Sequence, residues 1–236
     1  MLGIKEWNLD SMMFTYLWSP FKWLGKQFLF LQSNVFISVL FVTGLAFLSL
    51  GYINQNISSP LGGALPLILM SIALAVILFA FSFRQSAIKA WIYLLIAHLF
   101  IIVAVLFNAP HVNPIEIIFY ASGVLLAFFV GYYCLQKIKT IDNDISLNQF
   151  HGYVYEQETT ALLFLLAAVG MLGFPITAAF IGIDVLFTYV HSNQIILIIL
   201  MALCLIFIEL SAFRILLRIF FGPHKKLNHP VAFRSS

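Results

Sequence analysis

Six apolar runs, each near or above the roughly 20 residues that a bilayer requires, leave this chain few folds to choose from. They cover 34–53, 61–81, 88–107, 114–135, 160–190 and 194–221. Inside lipid no water is at hand for backbone N–H and C=O groups, so each run must satisfy its own as a helix. Charged residues make up only 9% of the chain, against roughly 25% in soluble domains. The expectation is an all-α polytopic membrane protein with about six transmembrane helices.

Lysine and arginine mark one side of the membrane. Lys22 and Lys26, Arg84 and Lys89, Lys137 and Lys139, and Arg214, Arg218, Lys225 and Lys226 fall at every second membrane face. The loops 54–60, 108–113 and 191–193 contain neither residue type. By the positive-inside bias both termini are expected in the cytoplasm, and the basic residues read as topology determinants, with no case for nucleic acid. Residues 1–33 mix Lys5, Glu6 and Asp10 with Trp7, Trp18 and Trp23, which suits an interfacial amphipathic segment or a leader packed on a partner, and no cleavable signal peptide. The transmembrane domain is expected over 34–222, followed by a cytoplasmic tail over 223–236. The longest loop, 136–159, holds Asp142, Asp144, His151, Glu156 and Glu158 and reads as a solvated surface loop.

The run 160–190 is interrupted by Gly173, Phe174 and Pro175. Proline removes a backbone donor and clashes with the preceding turn, so the fifth span is expected to be discontinuous, with opened carbonyls able to hold water. No nucleophile and base, phosphate loop or metal-ligand spacing is legible, and Cys134 and Cys204 fall within apolar runs as packing residues. No autonomous catalytic site, metal or cofactor is expected. What remains is a set of ionisable groups within the spans, each of which is a pathway hypothesis. His98 lies about 15 Å into the third span, and Glu209 about 22 Å from the outer start of the sixth. Glu209 is the first choice for a proton carrier, with a partner expected on another helix, since Arg214 is five residues away and off its helix face. His98 reads as a relay or a hydrogen-bonded core residue. Asp184 reads as a path residue or an interfacial carboxylate, and Lys89 as a path residue or a snorkelling cation.

Several of these residues resemble the C-terminal part of the proton-conducting, antiporter-like subunits of respiratory complex I and Mrp-type sodium/proton antiporters. Ala87-Ile88-Lys89 with Ile96-Ala97-His98 is similar to the family's Asp-Ile-Lys opening and later Ser-His segment, with alanine in place of aspartate. Phe150-His151-Gly152 looks like the end of its loop before the broken helix. Leu172-Gly173-Phe174-Pro175 through Phe180-Ile181-Gly182 resembles its Ala-Gly-Ile-Pro and Gly-Phe signature, the most specific element, although Ile183 stands where the family often has lysine or glutamate. Phe213-Arg214 to Phe220-Phe221-Gly222 is similar to the basic end of its next helix. The resemblance covers roughly 61–223. It implies a proton or cation path through the broken helix, in a bacterial inner membrane, with other membrane subunits supplying further antiporter-like helices. The runs Gly-Phe-Pro-Ile-Thr and Phe-Ile-Gly-x-Asp look closest to inorganic-carbon uptake proteins of the DabA and DabB type. That branch implies a membrane subunit delivering protons to a cytoplasmic, zinc-bearing partner. A structural scaffold whose acids are merely paired is the other alternative.

Overall fold

A computed structural model describes residues 32–53, 64–109, 111–175 and 177–223. The expected interfacial segment, the 54–60 loop and nearly all of the tail lie outside these residues. The described residues are all-α: α1 (Asn34–Ile53), α2 (Ala64–Ser82), α3 (Ala87–Asn108), α4 (Pro114–Ile141), α5 (Glu158–Met171), α6 (Ala178–Thr188) and α7 (Ile195–Ile219), with a short 3-10 turn at Tyr153–Tyr155. Helices α1 to α4 and α7 are long and apolar enough to cross a membrane, and α5 with α6 forms the remaining, interrupted run. The protein is therefore a polytopic helical membrane protein. Two compact units divide the chain, Met1–Thr43 and Gly44–Ser236, with the division falling inside α1.

Within the second unit α3 is the hub. It is apolar on all sides, which suits a helix surrounded by others, and nearly every residue from Ala87 to Leu106 is buried. It packs on α2, α4 and α7. Ser86 caps its start by accepting from Lys89 N at 3.5 Å, and Asn113 caps α4 by accepting from Ile115 N at 3.1 Å, with Pro114 as the first residue of the helix. Helix α7 contributes a stripe of Leu197, Met201, Cys204, Ile208, Ser211 and Ile215, the alternating spacing of three and four that keeps one face against its neighbours.

Helices α4, α5 and α6 approach closely through small residues. A Cβ added at Gly123 would lie 2.5 Å from Ala179 N, and one at Gly170 3.1 Å from Ala127 Cβ; Gly131 of α4 likewise makes room for α3, where its added Cβ would lie 2.4 Å from the Trp91 ring. Between apolar helices in lipid, such contacts replace the hydrophobic effect with close packing. On the far side of the pair, Gly182 of α6 rests directly on Tyr120 of α4: its added Cβ would meet Tyr120 Cβ at 2.5 Å and Cα at 2.7 Å.

The discontinuity of the fifth span is present, but glycine sets it. Gly173 ends α5 in the left-handed region at φ 68°. Its amide turns back to Gly170 O at 3.3 Å, and the Phe174 amide to Val169 O at 3.3 Å, the usual glycine-terminated helix stop. Phe174 O then accepts from both the amide and the hydroxyl of Thr177, each at 2.8 Å. Several carbonyls that were expected to be open to water are thus satisfied by protein. Pro175 follows the stop and prevents the helix from resuming. Gly173→Ala is therefore expected to destabilise the fold by about 1–2 kcal/mol through left-handed backbone strain, more than Pro175→Ala does. Thermal unfolding in detergent checks the order, and a larger loss for Pro175→Ala would reverse this account.

The loop before α5 departs most from expectation. Ile145, Leu147 and Tyr153 are buried and His151 is wholly enclosed. Helix α4 first continues six residues past the expected end, to Ile141. The chain then zips onto neighbouring helix ends: Ala87 N donates to Ile145 O at 3.1 Å, Leu147 N to Arg84 O at 2.7 Å, His151 N to Arg218 O at 2.9 Å, and Val154 N to Phe220 O at 2.8 Å. Arg218 lies over the Phe150 ring at 4.3 Å, and His151 stacks on Tyr153. The Tyr153 hydroxyl donates to Asp142 Oδ2 at 2.5 Å. Burial first, and then this bond, hold that hydroxyl well above the usual tyrosine range. The segment is a packed cap over the helix ends. Its polar residues hid this, because their side chains bond within the segment while its backbone pairs with several helix ends, and neither follows a periodic pattern.

Candidate functional site

The interior polar site is built from α3 and α4. Eleven residues separate Ala87 from His98, which places the imidazole about 16 Å along α3, near its middle. Its side chain is almost wholly buried, as is that of Tyr120, and His98 Nδ1 lies 2.6 Å from the Tyr120 hydroxyl. The other ring nitrogen, Nε2, is buried without a hydrogen-bond partner among the described residues. In one tautomer Tyr120 donates to Nδ1 and Nε2–H is an unused donor. In the other Nδ1–H donates to Tyr120 and Nε2 is an unused acceptor. Either way a polar atom deep in an apolar bundle is left over, an arrangement that costs free energy and marks a place for a proton acceptor or donor.

Tyr120 ties this pair to the broken helix. Because Gly182 has no side chain, the backbone of α6 reaches Tyr120 itself, and Gly123, one turn further along α4, meets the first residues of α6. The second half of the interrupted span thus packs directly against the partner of His98. Cys204 of α7 is also buried, with its thiol 3.8 Å from Met70 O. It fills a packing role, as expected.

The other expected path residues lie elsewhere. Lys89 sits half-buried in the first turn of α3, nine residues and about 14 Å before His98. Asp184 is exposed on α6; the nearby hydroxyls of Thr177 and Thr188 donate to Phe174 O and Val185 O. Glu209 is exposed on α7, and among the described residues no side chain of another helix forms the expected pair with it. Arg214 is directed away, with its guanidinium 5.4 Å from the centre of the Phe81 ring on α2. Gly173 is buried while Phe174 and Pro175 face outward. The structure thus brings the His98–Tyr120 pair against the α6 half of the break, and leaves the side chains of Glu209, Asp184 and Lys89 outside that pair.

Two groups of residues escaped the sequence. Tyr120 is one of nine tyrosines, and nothing in the residues that flank it distinguishes it. At the other end of the bundle, Asn108 and Gln194 exchange side-chain amide hydrogen bonds at 2.8 and 2.9 Å, and Asn108 also donates to Tyr189 O at 2.9 Å. The Tyr189 hydroxyl donates to Glu116 and accepts from Asn113 N at 3.1 Å. This clasp joins α3, α4, α6 and α7, and it ties Glu116 to the end of α6. Polar residues beside loop glutamines and asparagines were the available signal, but only folding shows which of them meet. Among the described residues no group of three His, Cys, Asp or Glu could hold a metal ion. No protein-family model matches the chain, and no curated protein matches it.

Proposed function

We propose that this protein is a membrane subunit of a larger complex and forms part of a proton path, with the His98–Tyr120 pair as the element of that path inside the chain. One observation supports this above the others: a buried imidazole, hydrogen-bonded on one side and unpartnered on the other, sits beside the broken helix through Tyr120. A group that accepts a proton on one nitrogen while releasing one from the other needs such a free position. The resemblance to antiporter-like subunits favours the same reading, as does the exposure of Glu209 and Asp184, acids that neighbouring subunits would cover. The membrane is a bacterial inner membrane, and both chain ends are cytoplasmic.

Proton flux in membrane vesicles carrying the intact complex tests the role of the pair. Tyr120→Phe removes the hydroxyl and leaves Nδ1, like Nε2, without a partner, so flux is expected to fall roughly tenfold or more. Subunit abundance on the same membranes should drop far less. Unchanged flux in assembled Tyr120→Phe would end the proposal. Orientation is checked separately with accessibility tags: those near Ser146 and at Ser236 should be cytoplasmic and one near Asn56 should be outside.

A further inference from the structure

We propose that the outward face of α7 docks a transmembrane helix of a second membrane protein, and that this helix presents a lysine or arginine to Glu209. The inference needs only that α7 spans the membrane, and it holds whether or not the chain moves protons. Glu209 is fourteen residues after Ile195 and ten before Ile219, so it lies about 21 Å and 15 Å from the two helix ends. A glutamate side chain spans neither distance, so the carboxylate cannot reach an interface as a long lysine would.

An acid at that depth must be neutralised, paired or wet. The chain's own nearest cation on α7 is engaged elsewhere, since Arg214 lies over Phe81. Ile199, Ile206, Leu210 and Leu217 form one outward strip that runs beside Glu209, roughly 60–100° round the helix from it, and are each about half exposed, at 52%, 50%, 47% and 49%. An apolar strip flanked at mid-depth by one exposed carboxylate suits a single apolar helix with one basic residue at matching depth. Pairing such charges away from water adds specificity for partner and register, and it makes the loss of either member costly.

A photo-crosslinking side chain at position 206, in native membranes of cells carrying the full chain, reads the face directly. The expected product is one discrete adduct to a different membrane protein, with the crosslinked peptide inside a transmembrane helix and a lysine or arginine within one turn of it. Glu209→Lys should reduce the adduct about tenfold or more, through like-charge repulsion at a buried contact. Exchanging the partner's basic residue for glutamate should restore the adduct in the Glu209→Lys background while failing to do so in the native one. Crosslinks only to lipid, to a second copy of this chain, or within the chain itself would overturn the proposal. So would a partner helix without a basic residue at that depth, or a charge exchange that restores nothing. Because the readout is an adduct and not flux, failure here leaves the proton-path reading standing, and the reverse also holds.

Discussion

Gly182→Leu is expected to remove most of the folded protein from the membrane. Even the first atom of a new side chain would lie 2.5 Å from Tyr120 Cβ and 2.7 Å from its Cα, neither of which a rotamer change can move. Overpacking of this kind typically costs about 1–3 kcal/mol and more where backbone must separate. Here α6 would have to leave α4, and its contact at Gly123 would go with it, because the Ala178–Ala179 backbone approaches that glycine just as closely. Ile181→Leu, one residue away and 53% exposed, is the matching control and should behave like the native chain. Membrane abundance and thermal unfolding of the two variants give the answer. A Gly182→Leu protein as abundant and as stable as the control would mean that α6 does not seat on Tyr120.

The second large effect concerns His98. His98→Gln keeps an amide able to bond the Tyr120 hydroxyl and removes the only group of the pair that exchanges a proton readily near neutral pH. Abundance should therefore hold while proton flux falls roughly a hundredfold, the lower part of the range for losing a positioned acid or base. His98→Ala separates packing from proton exchange. It leaves the Tyr120 hydroxyl buried without its partner at a cost of about 1–3 kcal/mol, so abundance and flux should fall together. If His98→Gln conducts as well as the native chain, the imidazole is a core residue and the path runs elsewhere. The same membranes serve both measurements, so a loss of protein cannot pass for a loss of conduction.

Much of the architecture follows from local chemistry. The number of spans, their limits to within a few residues and the interruption near Gly173 depend on how a short segment partitions into lipid and on which residues can continue a helix. Those quantities are properties of the segment alone. Even there one assignment moved: proline is the more conspicuous helix breaker, yet Gly173 at φ 68° ends α5 first, because the stop needs a left-handed residue before proline acts. The depths of His98 and Glu209 could likewise be counted from helix rise.

Direction could not be counted. In water an amphipathic helix reveals its inner face, but these helices are apolar all round, since lipid and protein interior reward the same side chains. The pattern of α7 therefore does not distinguish Ile208, which is buried, from Ile206, which is half exposed, or show that Glu209 points out while His98 points in. Only packing against α2, α3 and α5 decided which arc of α7 is covered. The same holds for Tyr120, whose role depends on a glycine sixty-two positions later, and for the 142–157 segment, whose bonds go to the ends of distant helices. What the sequence determined was which segments enter the membrane, how deep each ionisable group lies and where the fifth span breaks. Which of those groups meet inside and which face outward was decided by how the helices pack on one another, at glycines where α6 meets α4, because that depends on pairs of residues far apart in the chain.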